Sequence, residues 1–311
     1  MDRTARLMDS IRMLERLGPR RGKRELEAGR ILKRKLASYG VDFQIQQFRN
    51  HLPHFSSFSL MADGDSVECM PTALRSGGIS SKPLISSMSV SGRYYEEPNI
   101  NFNPYSDAFS LATFYRAPSL TIKRKDVRRI IDARSVEGRV RVTKLPHRCE
   151  NIMAGNLKNP RHILISHTDS VLGGALDNAS GTAMLLELAS EGRKDTLFLF
   201  SGCEEMSFDE PIYWGRGYRV FEEQYKGLME RAKRTIVVDM VGSNSPSLIE
   251  DKRIRMSAFP IKSQRLWERA LIMSTGGDEW RPIYHSMEDR IGLIKGRYLE
   301  ESYRMVSGLM K

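Results

Sequence analysis

Several acids and histidines of this chain stand at the ends of short apolar runs. Ile163-Leu164-Ile165-Ser166 leads into His167-Thr168-Asp169, and Asp177-Asn178-Ala179-Ser180-Gly181 follows. Leu197-Phe198-Leu199-Phe200 leads towards Glu204-Glu205, Ile236-Val237-Val238 into Asp239, and Tyr284-His285 closes the series. Two histidines, three carboxylates and a spare glutamate match the nitrogen and oxygen donors that a pair of zinc ions uses to activate water. An open α/β sheet builds such a site from strands that end in these side chains, at its carboxyl edge.

Each piece also has a plainer reading. His167-x-Asp169 could be a surface turn, or a metal-binding histidine oriented by a carboxylate on its other ring nitrogen. Asp177, Asn178 or Ser180 could cap the apolar helix that follows, and Ser180 could do so while Asp177 bridges two metals. Glu204-Glu205 could be an exposed acidic turn. Held together at a strand end, the pair is costly unless a cation or proton separates the charges. One glutamate would then bind metal and the other would move protons. Asp239 ends a run that reads as a central strand, where a carboxylate is expensive to bury unless paired or metal-bound. His285 has Asp289 four residues on. His51, His54, His147 and His162 have no such partners in the sequence.

The elements that must position these residues follow from periodicity. Residues 4–17 and 24–39 have helical spacing of apolar positions, broken by Gly18-Pro19 and Gly40, and 41–48 alternates like a strand. From His51 to about Pro118 the chain is rich in Ser, Gly, Pro, Asn and Tyr, with short β-like pieces. Residues 123–133 look helical and 139–142 look extended. Beyond Asn151, strands (151–156, 162–167, 195–201, 234–240, 253–256) alternate with helices (180–191, 216–232, 262–275, 297–310). That alternation predicts an α/β fold with a mostly parallel or mixed sheet and helices on both faces. The expected domains are a catalytic one made of 1–50 and 146–311, and a small β-rich insert of 51–145.

The 311 residues have 40% hydrophobic content and a formal charge of +11 from 49 basic and 38 acidic residues. The basic runs at 20–24, 30–35 and 123–129 lack interleaved aromatics for base stacking, so they read as solvated faces, and no nucleic-acid partner is expected. No apolar run nears the roughly 20 residues of a membrane span. The charged amphipathic start does not read as a signal peptide, so the expectation is a cytoplasmic protein without a membrane partner. Cys69, Cys149 and Cys203 are sparse and odd in number, which predicts free, mostly buried thiols.

Taken in order, His167-Thr168-Asp169, Asp177 to Gly181, Glu204-Glu205, Asp239 in Val238-Asp239-Met240-Val241-Gly242, and His285 resemble the co-catalytic dizinc aminopeptidase family. That family includes aminopeptidase Y and bacterial leucyl aminopeptidase. Glutaminyl cyclases, glutamate carboxypeptidase II and the transferrin receptor share its fold. The resemblance covers about 146–311 and touches Gly18-Pro19-Arg20-Arg21-Gly22, similar to the family's early Arg-Gly turn. It implies one zinc on His167, Asp177 and Asp239, a second on Asp177, Glu205 and His285, Glu204 as general base, and Asp169 orienting His167. Co2+ or Mn2+ can also fill such sites. The partners it implies are peptide substrates, and a homo-oligomer is compatible with it.

The chain departs from the family at Ser257-Ala258-Phe259-Pro260, which keeps little of a Ser-Asp-His-x-x-Phe motif. It departs again at Met206 to Tyr218, which replaces a compact Gly-Ser turn. The insert sits where some members carry a protease-associated domain. The implied activity is aminopeptidase hydrolysis, with a one-zinc glutaminyl cyclase or a non-catalytic scaffold as alternatives.

Overall fold

The computed structural model describes residues 2–80, 83–87, 96–209 and 212–311. In chain order the elements are α1 (Arg3–Glu15), α2 (Lys23–Ser38), β1 (Phe43–Ala62), β2 (Asp65–Ser66), β3 (Met70–Pro71), β4 (Gly77–Ile79), β5 (Leu84–Ser87), β6 (Asn99–Phe102) and β7 (Ser119–Ile122). Then come α3 (Val127–Asp132), β8 (Val136–Gly155), β9 (His162–His167), α4 (Gly181–Ser190), β10 (Thr196–Ser201), α5 (Arg216–Arg231), β11 (Arg234–Val238), β12 (Pro246–Leu248), α6 (Lys252–Ala258), α7 (Gln264–Arg269), β13 (Leu271–Thr275) and α8 (Gly296–Leu309). The chain divides into two compact units. The first holds 1–50, 147–278 and 289–311, and the second 51–146 and 279–288. The residues of the long strands β1 and β8 are split between them.

In the first unit the strand order is β12-β13-β11-β9-β10-β8-β1. Strands β13, β11, β9 and β10 run parallel, and β12 and β8 are antiparallel to their neighbours β13 and β10. The fold is therefore a mixed α/β sheet, as expected. Alternate strand residues go to opposite faces. Leu164, Phe198, Phe200, Ile236, Val238 and Met273 pack with buried residues of α1, α2, α4 and α8. Ile163, Ile165, Leu197, Leu199, Val237 and Ile272 pack with α5 and α7. Because both faces are covered, these strands read as unbroken apolar runs.

Two expected elements are otherwise. Residues 253–256 belong to helix α6, not a strand. Asp251 accepts hydrogen bonds from the Arg253 and Ile254 amides, and Ile254 and Met256 lie exposed. The alternation Arg-Ile-Arg-Met therefore had no buried face behind it. Residues 262–275 do not form one helix. Helix α7 stops at Arg269, and 271–275 form β13, which pairs with β11 through Val237↔Ile272. The three apolar residues Leu271 to Met273 are too short a run to choose between the two states, and the open sheet edge decides.

In the second unit, β3-β7-β6-β5 form a separate sheet, β2 pairs with the end of β1, and β4 pairs with β8. Leu60, Val67, Ile79, Ile100, Leu120, Ile122, Ile130, Val136 and Val140 form its core. Among the described residues no helix is long and apolar enough to cross a membrane.

Candidate metal centre at the carboxyl edge of the sheet

The parallel strands deliver the first-unit candidates to one edge. His167 is the last residue of β9 and stands in register with Ser201, the last of β10. Val237 is in register with Ile165, so Asp239, two residues beyond, comes level with His167. His167 Nε2 lies 3.1 Å from Asp177 Oδ1 and 3.4 Å from Asp239 Oδ1. His167 Nδ1 is 3.5 Å from Asp169 Oδ1, a separation at which neither atom makes a hydrogen bond. The other oxygen of Asp169 accepts the Glu205 amide at 2.9 Å, which ties the two strand ends together. One donor atom each from His167, Asp177 and Glu205 lie within 4.8 Å of one another. Asp169, Asp177, Glu204 and Glu205 are buried, and Asp239 is nearly so.

The turn carrying Asp177 is fixed from several sides. The Asp177–Asn178 peptide is cis. The Asn178 amide nitrogen donates to the Val238 carbonyl and to Ser166 Oγ, and its oxygen accepts from the Gly181 and Met240 amides. One side chain thus joins β9, β11 and the start of α4. Asn178 supplies the acceptor at this helix start. Ser180 does not cap it. Its hydroxyl donates to the Leu176 carbonyl and accepts the Val241 amide. Gly181 is required, because a side chain there would collide with the Val238 carbonyl. Asp289 accepts the Leu176 and Asp177 amides at 2.7 and 3.0 Å, and burial pushes its carboxyl up to about 6.

Charge is the defining property of this edge. Burial, then the repulsion of Glu205, Asp169 and Asp239, raises the Glu204 carboxyl well above its ordinary value, although His167 opposes the shift. Burial works against a charged His167, yet Tyr218 and the carboxylates Asp169, Asp177 and Asp239 outweigh it and push its pKa well up. Arg20 is wholly buried close by. Its guanidinium donates to the carbonyls of Thr168 and Gly174, so it holds the backbone of the site together. Five carboxylates around one imidazole are more negative charge than these cations balance, and buried charge must be paired. The oxygen-rich set with one imidazole suits a divalent cation of the zinc type.

His285 lies in the second unit. Its Nδ1 is 3.2 Å from the Leu111 carbonyl, and its ring stacks on Tyr284 at 3.9 Å between centroids. A proton on Nδ1 towards that carbonyl leaves the lone pair on Nε2, the tautomer a metal would use.

Three residues near the edge carried little or no sequence signal. Arg20 was visible as part of a turn and of a basic run read as a solvated face, which its complete burial corrects, and Asp289 only by its spacing from His285. Tyr218 is buried, and among the described residues its hydroxyl has no hydrogen-bond partner. Two expectations about the rest of the first unit are corrected. Cys149 and Cys203 are joined in a disulfide, and Cys69 is free. The β8–β10 register explains the pairing. Phe200 faces Ile152 and Leu197 faces Gly155, and continuing that register brings Cys203 opposite Cys149. His147 also has a partner, since its Nε2 lies 3.2 Å from Glu25 Oε2. Burial above all pushes the Glu25 carboxyl up to about 7.

Residues 151–270 match the sequence profile of Peptidase family M28. The whole fold is similar to that of a zinc aminopeptidase from Bacillus subtilis, with TM-score 0.69, 16% identity, and 98% of this chain and 93% of that one covered. An aminopeptidase from Aneurinibacillus sp. strain AM-1 superposes with TM-score 0.65 at 17% identity over 97% and 92% of the two chains. A glutaminyl cyclase from Porphyromonas gingivalis gives TM-score 0.55 at 15% identity over 99% and 97%. Comparison with curated protein sequences finds no match. The fold is that of the zinc exopeptidases, and the resemblance to the zinc aminopeptidase family holds. The family match covers residues 151–270, and the likeness to the solved structures extends over the whole fold.

Proposed function

We propose that this chain is a two-zinc aminopeptidase that removes N-terminal residues from peptides. The observation that carries the reading is the convergence of His167, Asp177 and Glu205 within 4.8 Å at the carboxyl edge, with Glu204 beside them. In this reading His167, Asp177 and Asp239 would hold one zinc, and Asp177, Glu205 and His285 would hold the other. Two zinc ions would supply Lewis acidity for the scissile carbonyl and lower the pKa of the attacking water. Glu204 accepts the proton of that water at a carboxylate oxygen and returns it to the leaving amine nitrogen. Asp169 positions the His167 ring from behind and anchors the Glu205 amide, so that both donors stay at one place. Asp289 and Asn178 hold the Asp177 turn. The second unit, residues 51–145 in particular, would limit substrate length or mediate self-association. A cytoplasmic location is part of the proposal, checked by fractionation.

The test is metal analysis of the purified protein together with a substrate panel. Two metal ions per chain and hydrolysis of leucyl, methionyl and phenylalanyl amides, with little or no turnover of the N-acetylated forms, support the proposal. Equal turnover of acetylated and free substrates would overturn aminopeptidase action. The fold shared with a glutaminyl cyclase gives the second reading. One metal ion per chain, and cyclisation of N-terminal glutamine without peptide hydrolysis, would establish it instead.

A further inference from the structure

A second cluster of donors lies behind the carboxyl edge, on residues the peptide chemistry leaves unused. Glu25 comes from the first turn of α2, His147 and Cys149 from β8, and Cys203 from the turn after β10. One donor atom from each of the four lies within 4.8 Å of the others. Cys149 and Cys203 are essentially inaccessible, Glu25 is buried, and the His147 side chain is 10% exposed. Glu25 is held in place from two directions. One oxygen accepts the Cys203 amide at 2.8 Å, and the other lies 3.2 Å from His147 Nε2 and 3.5 Å from Cys203 Sγ. The surroundings are closely fitted, since any side chain at Gly202 would press on Glu25 Oε1 at 2.5 Å. Cys203 itself sits at φ 50, in the left-handed region that a side chain with a Cβ seldom adopts. Backbone held there clusters at functional sites.

One imidazole nitrogen, one carboxylate oxygen and two sulfurs make a four-donor set of the kind that closes a tetrahedral zinc site. No local motif such as Cys-x-x-Cys announces it, because the donors come from three separate parts of the sequence. We propose that Glu25, His147, Cys149 and Cys203 form a thiol-gated zinc site, closed as a disulfide when oxidised and able to take one divalent zinc-type cation when reduced. A dithiol reductant breaks the S–S bond. Two electrons and two protons pass to the cysteine sulfurs, and the dithiol leaves as its own disulfide. The cation then displaces the two thiol protons to solvent and binds both thiolates, His147 Nε2 and a Glu25 oxygen. Cys203 is joined by one peptide bond to Glu204, so the state of this cluster bears on the position of the proposed base. The inference does not rest on the peptidase reading, because the donors are different residues.

Cobalt(II) separates the two sites, since only a thiolate-bound ion gives sulfur-to-cobalt charge-transfer absorption, and the carboxyl-edge residues offer only nitrogen and oxygen. The full chain is freed of metal, divided into oxidised and dithiol-reduced halves, desalted without oxygen and titrated with Co2+. The reduced protein should take up one more ion per chain than the oxidised protein and develop the charge-transfer band. The wild-type chain alone decides this, whether or not any variant folds. Cys149→Ser/Cys203→Ser should abolish both the band and the reduction-dependent uptake, and Cys69→Ser should keep both. His147→Ala and Glu25→Gln should each weaken Co2+ binding by at least the roughly 10–100-fold lost when even an indirect support of a metal ligand is removed. Reduced wild type without the band, or a band that survives the double serine variant, would overturn the proposal. Either result leaves the count of ions at the carboxyl edge to be read separately.

Discussion

Asn101 in the second unit and Glu204 in the first are both buried polar side chains on or beside strands, and their surroundings differ in kind. The Asn101 side-chain nitrogen has two N–H groups and lies within hydrogen-bond reach of four acceptors, Thr72 Oγ1, Asn99 Oδ1, Ser119 Oγ and the Leu120 carbonyl. Ser119 in turn donates to Asn99, and Thr72 and Ser119 share a hydrogen bond. Every member of that network is neutral, and its donors and acceptors satisfy one another. Around Glu204 the neighbours are Glu205, Asp169 and Asp239, groups that repel it when ionised. A self-satisfied neutral network specifies a fold. A collection of carboxylates held together must be offset by protons, by cationic side chains such as His167 and Arg20, or by a bound cation, and that need distinguishes it from a place built for packing alone.

The strongest way to break this contrast is at the base. Glu204→Gln should preserve folding and metal content and lower turnover by about 10²–10⁴-fold, because an amide cannot accept the proton. Glu205→Gln should instead reduce metal content, measured on the purified variant. An exchange of the two phenotypes would reverse their assigned roles. Metal removal comes next. Chelation should abolish turnover and lower the melting temperature, with a loss of about 4 kcal/mol for metal held at a thousand times its Kd. Calorimetry with and without chelator checks this. If only the neutral network were disturbed by chelation, the contrast would fail.

On the other side, Asn101→Ala should cost about 1–3 kcal/mol in thermal or denaturant unfolding, because Ser119, Thr72 and Asn99 lose shared partners. It should leave the metal content unchanged. The smallest effect concerns Cys69. Burial, with a contribution from Glu68, pushes its thiol up from 9.0 to about 11. The thiolate is the reactive form, so at pH 8 alkylation should run about 100-fold slower than for an unshifted thiol and rise about tenfold per pH unit up to the pKa. A rate that is flat with pH would show that access, not ionisation, limits it.

The carboxyl-edge residues were legible because the strands that carry them are covered on both faces. Ile163 to Ile165, Leu197 to Phe200 and Ile236 to Val238 are unbroken apolar runs, so an acid or histidine at the end of each stands out. The same order of residues implied a shared edge, and the parallel register of β9, β10 and β11 brings His167 and Asp239 level there. Where an apolar signal was short or had no buried face, the sequence was ambiguous. Arg253 to Met256 alternates like a strand but sits in α6 under the Asp251 cap, and Leu271 to Thr275 joins the sheet because β11 offers an edge.

The sequence by itself thus determined most of the alternation of strands and helices, which follows from local periodicity, and showed acids and histidines at the ends of the apolar runs. Only the tertiary structure decided which distant residues meet. Cys149 and Cys203 are 54 positions apart and pair because antiparallel register places them opposite each other. His147, two residues before Cys149 on β8, joins them, as does Glu25 from α2, and Asp289 reaches back to Asp177 over more than a hundred residues. Such encounters depend on strand register and helix packing. Those are cooperative properties of the whole chain, and no window of neighbouring residues encodes them.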